Sequence, residues 1–240
     1  MNRNGSQEKV EGRYCVVIAA YNAAATIGSL VRWTKQQGFT VLVVDDGSSD
    51  KTASIASQEG ALVLSHLKNR GKGSALRTAF QYALRSNFDG VVTLDSDVQH
   101  DPADIVRLIQ AGEHQHAAIV VGNRMEQDKE MPRLRYWTNV VMSRVIGLLT
   151  HQSVPDSQCG LRMIRKQVLE SIEFQSERFE IESEMILAAS RQKWKVIFVP
   201  MKALYPEGLQ SHIQTFPDAL RFIWLIVRYL GGTVGKRKPS

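Results

Sequence analysis

Two carboxylates and an amide follow a short apolar run in the stretch Val91-Val-Thr-Leu-Asp95-Ser-Asp97-Val-Gln99-His100-Asp101-Pro102. Alternate side chains of an extended segment point the same way, so Asp95, Asp97 and Gln99 can converge on one cation. Such oxygen ligands suit Mg²⁺ or Mn²⁺ that bridges phosphate groups. An open α/β sheet binds its ligands at the carboxyl ends of its strands. The pattern therefore predicts a strand that ends in a metal and phosphate site, although an isolated Asp-x-Asp is also typical of a solvated turn.

Short runs rich in β-branched residues alternate with stretches of helical length. The predicted strands are residues 14–20, 41–44, 61–64, 91–94, 117–121 and 195–199. The predicted helices are residues 23–35, 50–57, 73–85 and 102–111, with Asp50 and Asp101 as caps. This alternation predicts an α/β fold, a Rossmann-like and mostly parallel sheet with helices on both faces.

Length and composition describe a single globular domain, expected over residues 13–215. The chain has 240 residues, of which 43% are hydrophobic and 22% charged. Residues 1–12 predict a flexible N-terminal segment that lacks the apolar stretch of a signal peptide. The two cysteines do not form a disulfide framework pattern, which favours a location in the cytoplasm. The net charge of +6 favours anionic partners such as phosphate ligands or a membrane surface. Nucleic acid is not expected, because no nucleic-acid-binding motif is visible.

Several motifs follow one another along the chain. They are Val16-Val-Ile-Ala-Ala20-Tyr21-Asn22, Val43-Val-Asp45-Asp46-Gly47-Ser48-Ser49-Asp50, Asn69-Arg-Gly71-Lys72-Gly73-Ser-Ala75 and Asp95-Ser-Asp97-Val-Gln99-His100. In this order they resemble the inverting family 2 glycosyltransferases of the GT-A fold. Gly122-Asn-Arg124 and Asp156-Ser-Gln-Cys-Gly160-Leu-Arg162 make the chain look most like the dolichyl- and polyprenyl-phosphate mannose or glucose synthases. The resemblance covers about residues 13–204.

The resemblance implies a nucleotide-sugar site along the ends of the first strands. Its residues would be Ala20, Tyr21, Asn22, Asp46, Lys72, Asp95 and Ser96. Tyr21 offers ring surface and a hydroxyl to the base and ribose, Asp46 offers an acceptor, and Lys72 offers a charge to the diphosphate. The glycines beside Lys72 would let the backbone approach the phosphates. Each segment taken alone is also a good turn or helix start.

Two departures from the family pattern concern this site. Ala20 stands where the family usually has proline, and Ala23 where it usually has an acid. They leave the nucleotide, UDP or GDP, open.

The resemblance also implies a catalytic and acceptor site. The metal ligands would be Asp95, Asp97 and Gln99, and the catalytic residues Asp97, Asp156 and Arg124. Mg²⁺ or Mn²⁺ would offset charge on the leaving diphosphate. The acceptor phosphate would be held by guanidinium groups of Arg124, Arg133 and Arg135, although the last two also suit a solvated helix. Asp156 would act as a base towards a hydroxyl acceptor, whereas towards a phosphate it would orient the sugar or an arginine.

The C-terminal segment, residues 216–240, predicts an amphipathic helix and a basic tail. Asp218, Arg221 and Arg228 fall on one narrow stripe of the helix, and Trp224 and Tyr229 are typical of membrane interfaces. Lys236, Arg237 and Lys238 suit anionic lipid. The same pattern also suits a helix packed into the core or a dimer contact.

The expected function is metal-dependent, inverting transfer of a hexose from a GDP- or UDP-sugar to a polyprenyl phosphate. The expected place is the cytoplasm, with peripheral contact at the cytoplasmic face of a membrane. Two alternatives remain: transfer to a sugar hydroxyl in polysaccharide or glycolipid synthesis, and nucleotide-sugar binding without turnover.

Overall fold

A seven-stranded sheet forms the centre of the molecule, in the order β3-β2-β1-β4-β6-β5-β7. The computed structural model describes residues 14–101, 103–126, 131–202 and 215–236. The strands are β1 Tyr14–Ala20, β2 Thr40–Asp45, β3 Leu62–Ser65, β4 Gly90–Asp95, β5 Ile119–Asn123, β6 Arg162–Arg165 and β7 Val196–Pro200. Strand β6 runs antiparallel to β4 and β5, and the other neighbours are parallel. The predicted α/β fold with a mostly parallel sheet is confirmed.

Eight helices connect and cover the strands in the described part of the chain. They are α1 Ile27–Gln36, α2 Thr52–Gln58, α3 Lys72–Leu84, α4 Ala103–Gln115, α5 Arg133–Thr150, α6 Lys166–Ser171, α7 Ile181–Arg191 and α8 Thr215–Leu230. The first begins four residues later than predicted, because the Ala23 and Ala24 amides donate to the side chains of Thr52 and Asp50. Asp101 caps α4 as predicted, by accepting from the Ala103 amide at 2.8 Å. Pro102 lies outside the described residues.

The central strands are mostly apolar up to their carboxyl ends, where β2 and β4 end in Asp45 and Asp95, because helices cover both faces of the sheet. Side chains of β1, β2 and β4 such as Val17, Leu42 and Val91 are fully buried. Ala20 pairs with Asp45, and Ala19 pairs with Asp95. The ends of β1, β2 and β4 therefore lie side by side, and the loops that follow them share one edge of the sheet.

Strand β6 brings the second half of the chain to the same edge. It is antiparallel, so its first residue, Arg162, pairs with Thr93 near the end of β4 and with Val121 near the end of β5. The preceding motif, residues 156–161, consequently lies where the parallel strands end. This strand was not predicted, because it has four residues and an arginine at each end.

Buried Arg162 ties this motif to α7. Its guanidinium donates to the carbonyl oxygens of Cys159 at 2.8 Å, Ser157 at 2.8 Å and Glu182 at 2.5 Å. Burial lowers the pKa of the Arg162 guanidinium. Three carbonyl acceptors thus replace water around this charge and fix the loop against the helix.

The C-terminal helix α8 has two apolar faces. Phe222 and Leu225 are buried, and the helix packs against α7. More than half of each opposite side chain is exposed: Leu220, Ile223, Trp224, Val227 and Leu230. No helix among the described residues is both long enough and apolar enough to cross a membrane. The predicted N-terminal segment, residues 1–12, and the tail residues Arg237 and Lys238 lie outside the described residues.

Candidate active site

The loops after β1 and β2 hold each other in place. Asn22 has a left-handed backbone with φ 49°, and its side-chain oxygen accepts from the Ser49 amide at 2.9 Å. The Asn22 amide donates to Ser48 Oγ at 2.9 Å. Ala20 is buried, whereas Tyr21 is 39% exposed. The polar side chain of Asn22 therefore shapes the loop, and the Tyr21 ring remains accessible to a ligand.

Asp46 is buried and holds the glycine-containing loop. Its carboxylate accepts from the Gly71 amide at 2.6 Å and the Arg70 amide at 3.0 Å, and its Oδ1 lies 2.6 Å from His66 Nδ1. These contacts place the loop beside the ends of β1 and β2. The predicted contact of Asp46 with a base or ribose stays a prediction.

The two glycines beside Lys72 leave room for protein backbone. A Cβ on Gly71, whose φ is +98°, would lie 2.4 Å from the carbonyl oxygen of Glu177. A Cβ on Gly73 would lie 2.5 Å from the carbonyl oxygen of Ser176. Glycine at these positions thus lets residues 176–178 approach α3. The predicted approach of this loop's backbone to a phosphate group stays a prediction.

Lys72, the first residue of α3, lies between two carboxylates. Its Nζ is 2.5 Å from Asp95 Oδ1 and 2.5 Å from Glu182 Oε1. Burial disfavours the ammonium ion, but the two carboxylates outweigh burial and raise the pKa of Lys72. Glu182 was not predicted as a site residue from the sequence. An acid in the first turn of a helix is common, so Glu180-Ile-Glu182-Ser-Glu184 before an apolar run indicates an ordinary helix start.

The Asp-x-Asp stretch does not continue β4 as predicted. The strand ends at Asp95, and Val98 has a φ of 60°, a strained value for a β-branched residue. The Gln99 amide donates to Asp97 Oδ1 at 3.1 Å. A turn therefore places Asp97 and Gln99, and strand alternation does not. Ser96 lies in this turn, and its carbonyl oxygen accepts from Thr26 Oγ1 at 2.6 Å.

Asp95 and Asp97 experience opposite electrostatic environments. Burial opposes the charge on Asp95, yet Lys72 and His100 lower its pKa. Burial, followed by the charge of Asp95, raises the pKa of Asp97. His100 is itself buried, with Nε2 3.7 Å from Asp95 Oδ2. A nearby cation would therefore favour the ionised form of Asp97.

These residues fit a divalent ion whose ligands come partly from the protein and partly from the substrate. The described residues contain no group of three or more His, Cys, Asp or Glu side chains arranged for a metal. Mg²⁺ commonly binds one or two carboxylates together with substrate phosphates, and two carboxylates are present here. The third predicted ligand, Gln99, has its side-chain oxygen 3.3 Å from Arg135 Nη1. An ion would therefore compete with Arg135 for this amide.

Gly160 lies directly against Asp95. A Cβ on Gly160 would be 2.1 Å from Asp95 Oδ2. The carbonyl oxygen of Gly160 accepts from Thr93 Oγ1 at 2.7 Å. The motif that opens at Asp156 thus forms one wall around Asp95.

Asp156 and Arg124 form a buried ion pair. Arg124 Nε is 2.8 Å from Asp156 Oδ2, and Arg124 Nη2 is 3.0 Å from Asp156 Oδ1. Burial opposes the charge on Asp156, but Arg124 and Asn139 outweigh it and lower the pKa of Asp156 to about 2. Arg124 is 1% exposed. This guanidinium, predicted to bind a phosphate, faces a carboxylate here, because a buried cation requires such a partner.

The two other predicted acceptor residues lie in the first turn of α5. Arg133 is exposed, and Arg135 is partly buried beside Gln99. Arg135 therefore adjoins the Asp-x-Asp turn, whereas the Arg133 side chain is exposed on the helix surface. Cys159 lies nearby, but burial raises the pKa of its thiol to about 12, which argues against a nucleophile.

Comparison with known proteins gives a family and a fold. A model of glycosyl transferase family 2 matches residues 15–173. An uncharacterized protein of Methanocaldococcus jannaschii is 34% identical over 202 residues, which cover 82% of this chain and 83% of that protein. A UDP-N-acetylglucosamine–dolichyl-phosphate N-acetylglucosaminyltransferase of Methanococcus voltae is 31% identical, with 80% and 86% covered.

Solved structures share the fold at lower identity. Glucosyl-3-phosphoglycerate synthase from Mycobacterium tuberculosis, in complex with Mn²⁺, UDP and phosphoglyceric acid, superposes with a TM-score of 0.70 at 18% identity. The superposition covers 95% of this chain and 80% of that one. The predicted GT-A fold is thereby confirmed.

Gly160→Ala should push the Asp95 carboxylate out of place. The added methyl group overlaps an oxygen atom, and overpacking of this kind costs about 1–3 kcal/mol of unfolding free energy, measurable by urea denaturation. Asp95→Ala in the same background should recover part of the loss, because the overlapping atoms are gone. Gly231→Ala is the control, since its Cβ would have 3.3 Å to the nearest atom. Equal losses in both glycine variants would contradict the overlap with Asp95.

Proposed function

The chain belongs to glycosyl transferase family 2, and from that membership we propose that it transfers a hexose from a UDP- or GDP-sugar to the phosphate of a polyprenyl lipid. The observation that carries the acceptor class is the buried Asp156–Arg124 pair. A hydroxyl acceptor must lose a proton to a base, and a carboxylate whose pKa is about 2 and that is bound by a guanidinium is a weak base. A phosphate monoester is mostly ionised at neutral pH, since its second pKa is about 6. It therefore needs no base.

The proposed donor site lies across the ends of β1, β2 and β4. Tyr21 provides ring surface for the base, and the loop held by Asp46 lies beside it. Lys72 provides a positive charge for the diphosphate. When bound, Mg²⁺ or Mn²⁺ supplies a Lewis acid that offsets negative charge on the leaving group. Asp95 and Asp97 would hold that ion, with Gln99 as a further oxygen ligand.

The proposed acceptor site lies on the side of Arg135. An oxygen of the acceptor phosphate forms a bond to the anomeric carbon, while the bond from that carbon to the nucleoside diphosphate breaks. The nucleoside diphosphate leaves with the electron pair, and the configuration inverts. Arg135 and Arg133 would orient the acceptor phosphate through their guanidinium groups. Asp156 would act indirectly, because it fixes Arg124 and, through Asn139, the helix that carries both arginines.

Two further observations support a lipid acceptor at a membrane surface. The relative from Methanococcus voltae is named for transfer to dolichyl phosphate. Helix α5 also exposes apolar side chains three to seven residues apart, which give it an outer apolar stripe: Leu134, Trp137, Val141 and Leu148. Exposed Arg133 and Arg144 flank this stripe and suit anionic lipid. The two buried free cysteines agree with the proposed cytoplasmic face.

Asp97→Asn should lower transfer by on the order of 10³-fold while the fold stays intact, because the variant loses a charged metal ligand. The measurement is transfer of radiolabelled sugar to polyprenyl phosphate at increasing Mn²⁺. Asp101→Asn is the control, because Asp101 belongs to the same loop but caps α4. Wild-type turnover and Mn²⁺ dependence in Asp97→Asn would rule out this metal ligand. Transfer to sugar hydroxyls alone would rule out the phosphate acceptor.

Arg135→Ala should raise the KM for polyprenyl phosphate by roughly 10- to 100-fold, since a hydrogen bond between charged groups is lost. Arg85→Ala, at the exposed C-terminal end of α3, is the control and should leave this KM unchanged. The slow hydrolysis of the donor in the absence of acceptor is measured in parallel, because it distinguishes a role of Arg135 in acceptor binding from a role at the Asp-x-Asp turn. If Arg135→Ala slows that hydrolysis as strongly as transfer, Arg135 serves the Asp-x-Asp turn and not the acceptor.

The double variant Ile223→Gln, Trp224→Gln should weaken binding to anionic liposomes by roughly tenfold, because two exposed apolar side chains would otherwise enter the interface. Sedimentation with liposomes measures this effect, and a melting curve checks the fold. Leu67→Gln is the control, because Leu67 is fully exposed at a site remote in sequence from α8. Unchanged liposome binding together with loss of a dimer in light scattering would identify a dimer contact instead.

A further inference from the structure

Three charged side chains from distant parts of the chain meet beside the proposed metal site. Lys72 Nζ contacts Asp95 at the end of β4 and Glu182 in the first turn of α7, both at 2.5 Å. The side chains of Lys72, Asp95 and Glu182 are 15%, 18% and 5% exposed. The Phe179 ring centroid lies 5.7 Å from the ammonium, and the ring further shields the ammonium from water. Water therefore screens these charges poorly, and their mutual interactions are strong.

Asp95 is a proposed metal ligand, but its carboxylate already contacts the Lys72 ammonium. Oδ1 contacts the Lys72 ammonium, and Oδ2 is enclosed by Gly160 and by His100. An ammonium ion and a divalent ion on one carboxylate repel each other. A metal ion that binds Asp95 must therefore compete with Lys72. Glu182 is the second carboxylate within reach of the ammonium, so it provides a place for Lys72 to remain.

We propose that Lys72 is an internal cation that holds Asp95 while no donor is bound, and that Glu182 retains Lys72 when the metal ion and the nucleotide arrive. Glu182 is then a positioning residue for the metal site, acting through Lys72. The inference rests on the metal site of the proposed function. It implies that metal and nucleotide bind cooperatively, because the diphosphate also draws the ammonium away from Asp95.

Calorimetric titration with Mn²⁺, alone and in the presence of UDP or GDP, tests this proposal. Lys72→Met should tighten binding of Mn²⁺ alone by roughly tenfold, because the competing cation is gone. Glu182→Gln should weaken it several-fold, because the ammonium loses its second partner and stays on Asp95. Lys35→Met and Glu59→Gln are the matched controls, since Lys35 contacts the Gly60 carbonyl oxygen and Glu59 contacts Arg32, both at the α1–α2 surface. Neither control should change Mn²⁺ affinity.

The double variant separates competition from a general effect of charge. If the two side chains act only through their charges, the free-energy changes of the single variants add. Under the proposal Glu182 acts through Lys72, so Glu182→Gln should change Mn²⁺ affinity less than twofold in the Lys72→Met background. The cooperativity between Mn²⁺ and UDP or GDP should also fall in Lys72→Met. Additive changes, or undiminished cooperativity, would overturn the proposal.

Failure of the metal site and failure of this inference give different results. If the wild type binds no Mn²⁺ even with UDP or GDP, both the metal site and the internal cation are wrong. If the wild type binds Mn²⁺ and the single changes add, the metal site stands and Lys72 does not compete for it. A melting curve accompanies each titration. Lys72→Gln replaces Lys72→Met in the cycle should that variant fail to fold.

Discussion

The antiparallel insertion of β6 between β4 and β5 is the constraint on which the site depends. Parallel strands all end at one edge, so a site built from them alone uses only the loops that follow β1, β2 and β4. Because β6 begins where these strands end, the residues before it enter the same edge from the opposite direction. Gly160 then meets Asp95, and Asp156 meets Arg124. The residues of the proposed donor and acceptor sites thereby share one wall.

Buried charges at this edge are paired or surrounded by acceptors, as physical chemistry requires. Arg162 has carbonyl oxygens around it, Arg124 has Asp156, and Lys72 has two carboxylates. Such networks stabilise one arrangement of the loops more than they stabilise the folded chain as a whole. Asp97, whose pKa is raised, lacks comparable compensation in the protein, and this contrast with Asp95 agrees with a role towards a cation supplied from outside.

Local patterns in the sequence were enough to predict the six other strands and the edge where the site lies, because apolar β-branched runs report burial directly. They failed for β6, whose arginines are typical of a surface segment, and α7 was not predicted although its glutamates mark an ordinary helix start. The motif glycines were predicted to matter, but their neighbours could not be known, since residues 176–178 and Asp95 are distant in sequence. Glu182 was missed for the same reason. A single sequence shows which residues are unusual and leaves open which of them meet.

The contact between Lys72 and Glu182 spans 110 positions of the chain. Closing so large a loop costs more conformational entropy than forming a local helix, and contacts of such long range are associated with slower folding. During synthesis, Asp95 and Lys72 emerge from the ribosome well before Glu182, so the first two must wait for α7 before the cluster is complete. A nascent chain that ends before residue 182 therefore carries the residues of six of the seven strands, but its Lys72 ammonium still has only one of its two carboxylate partners.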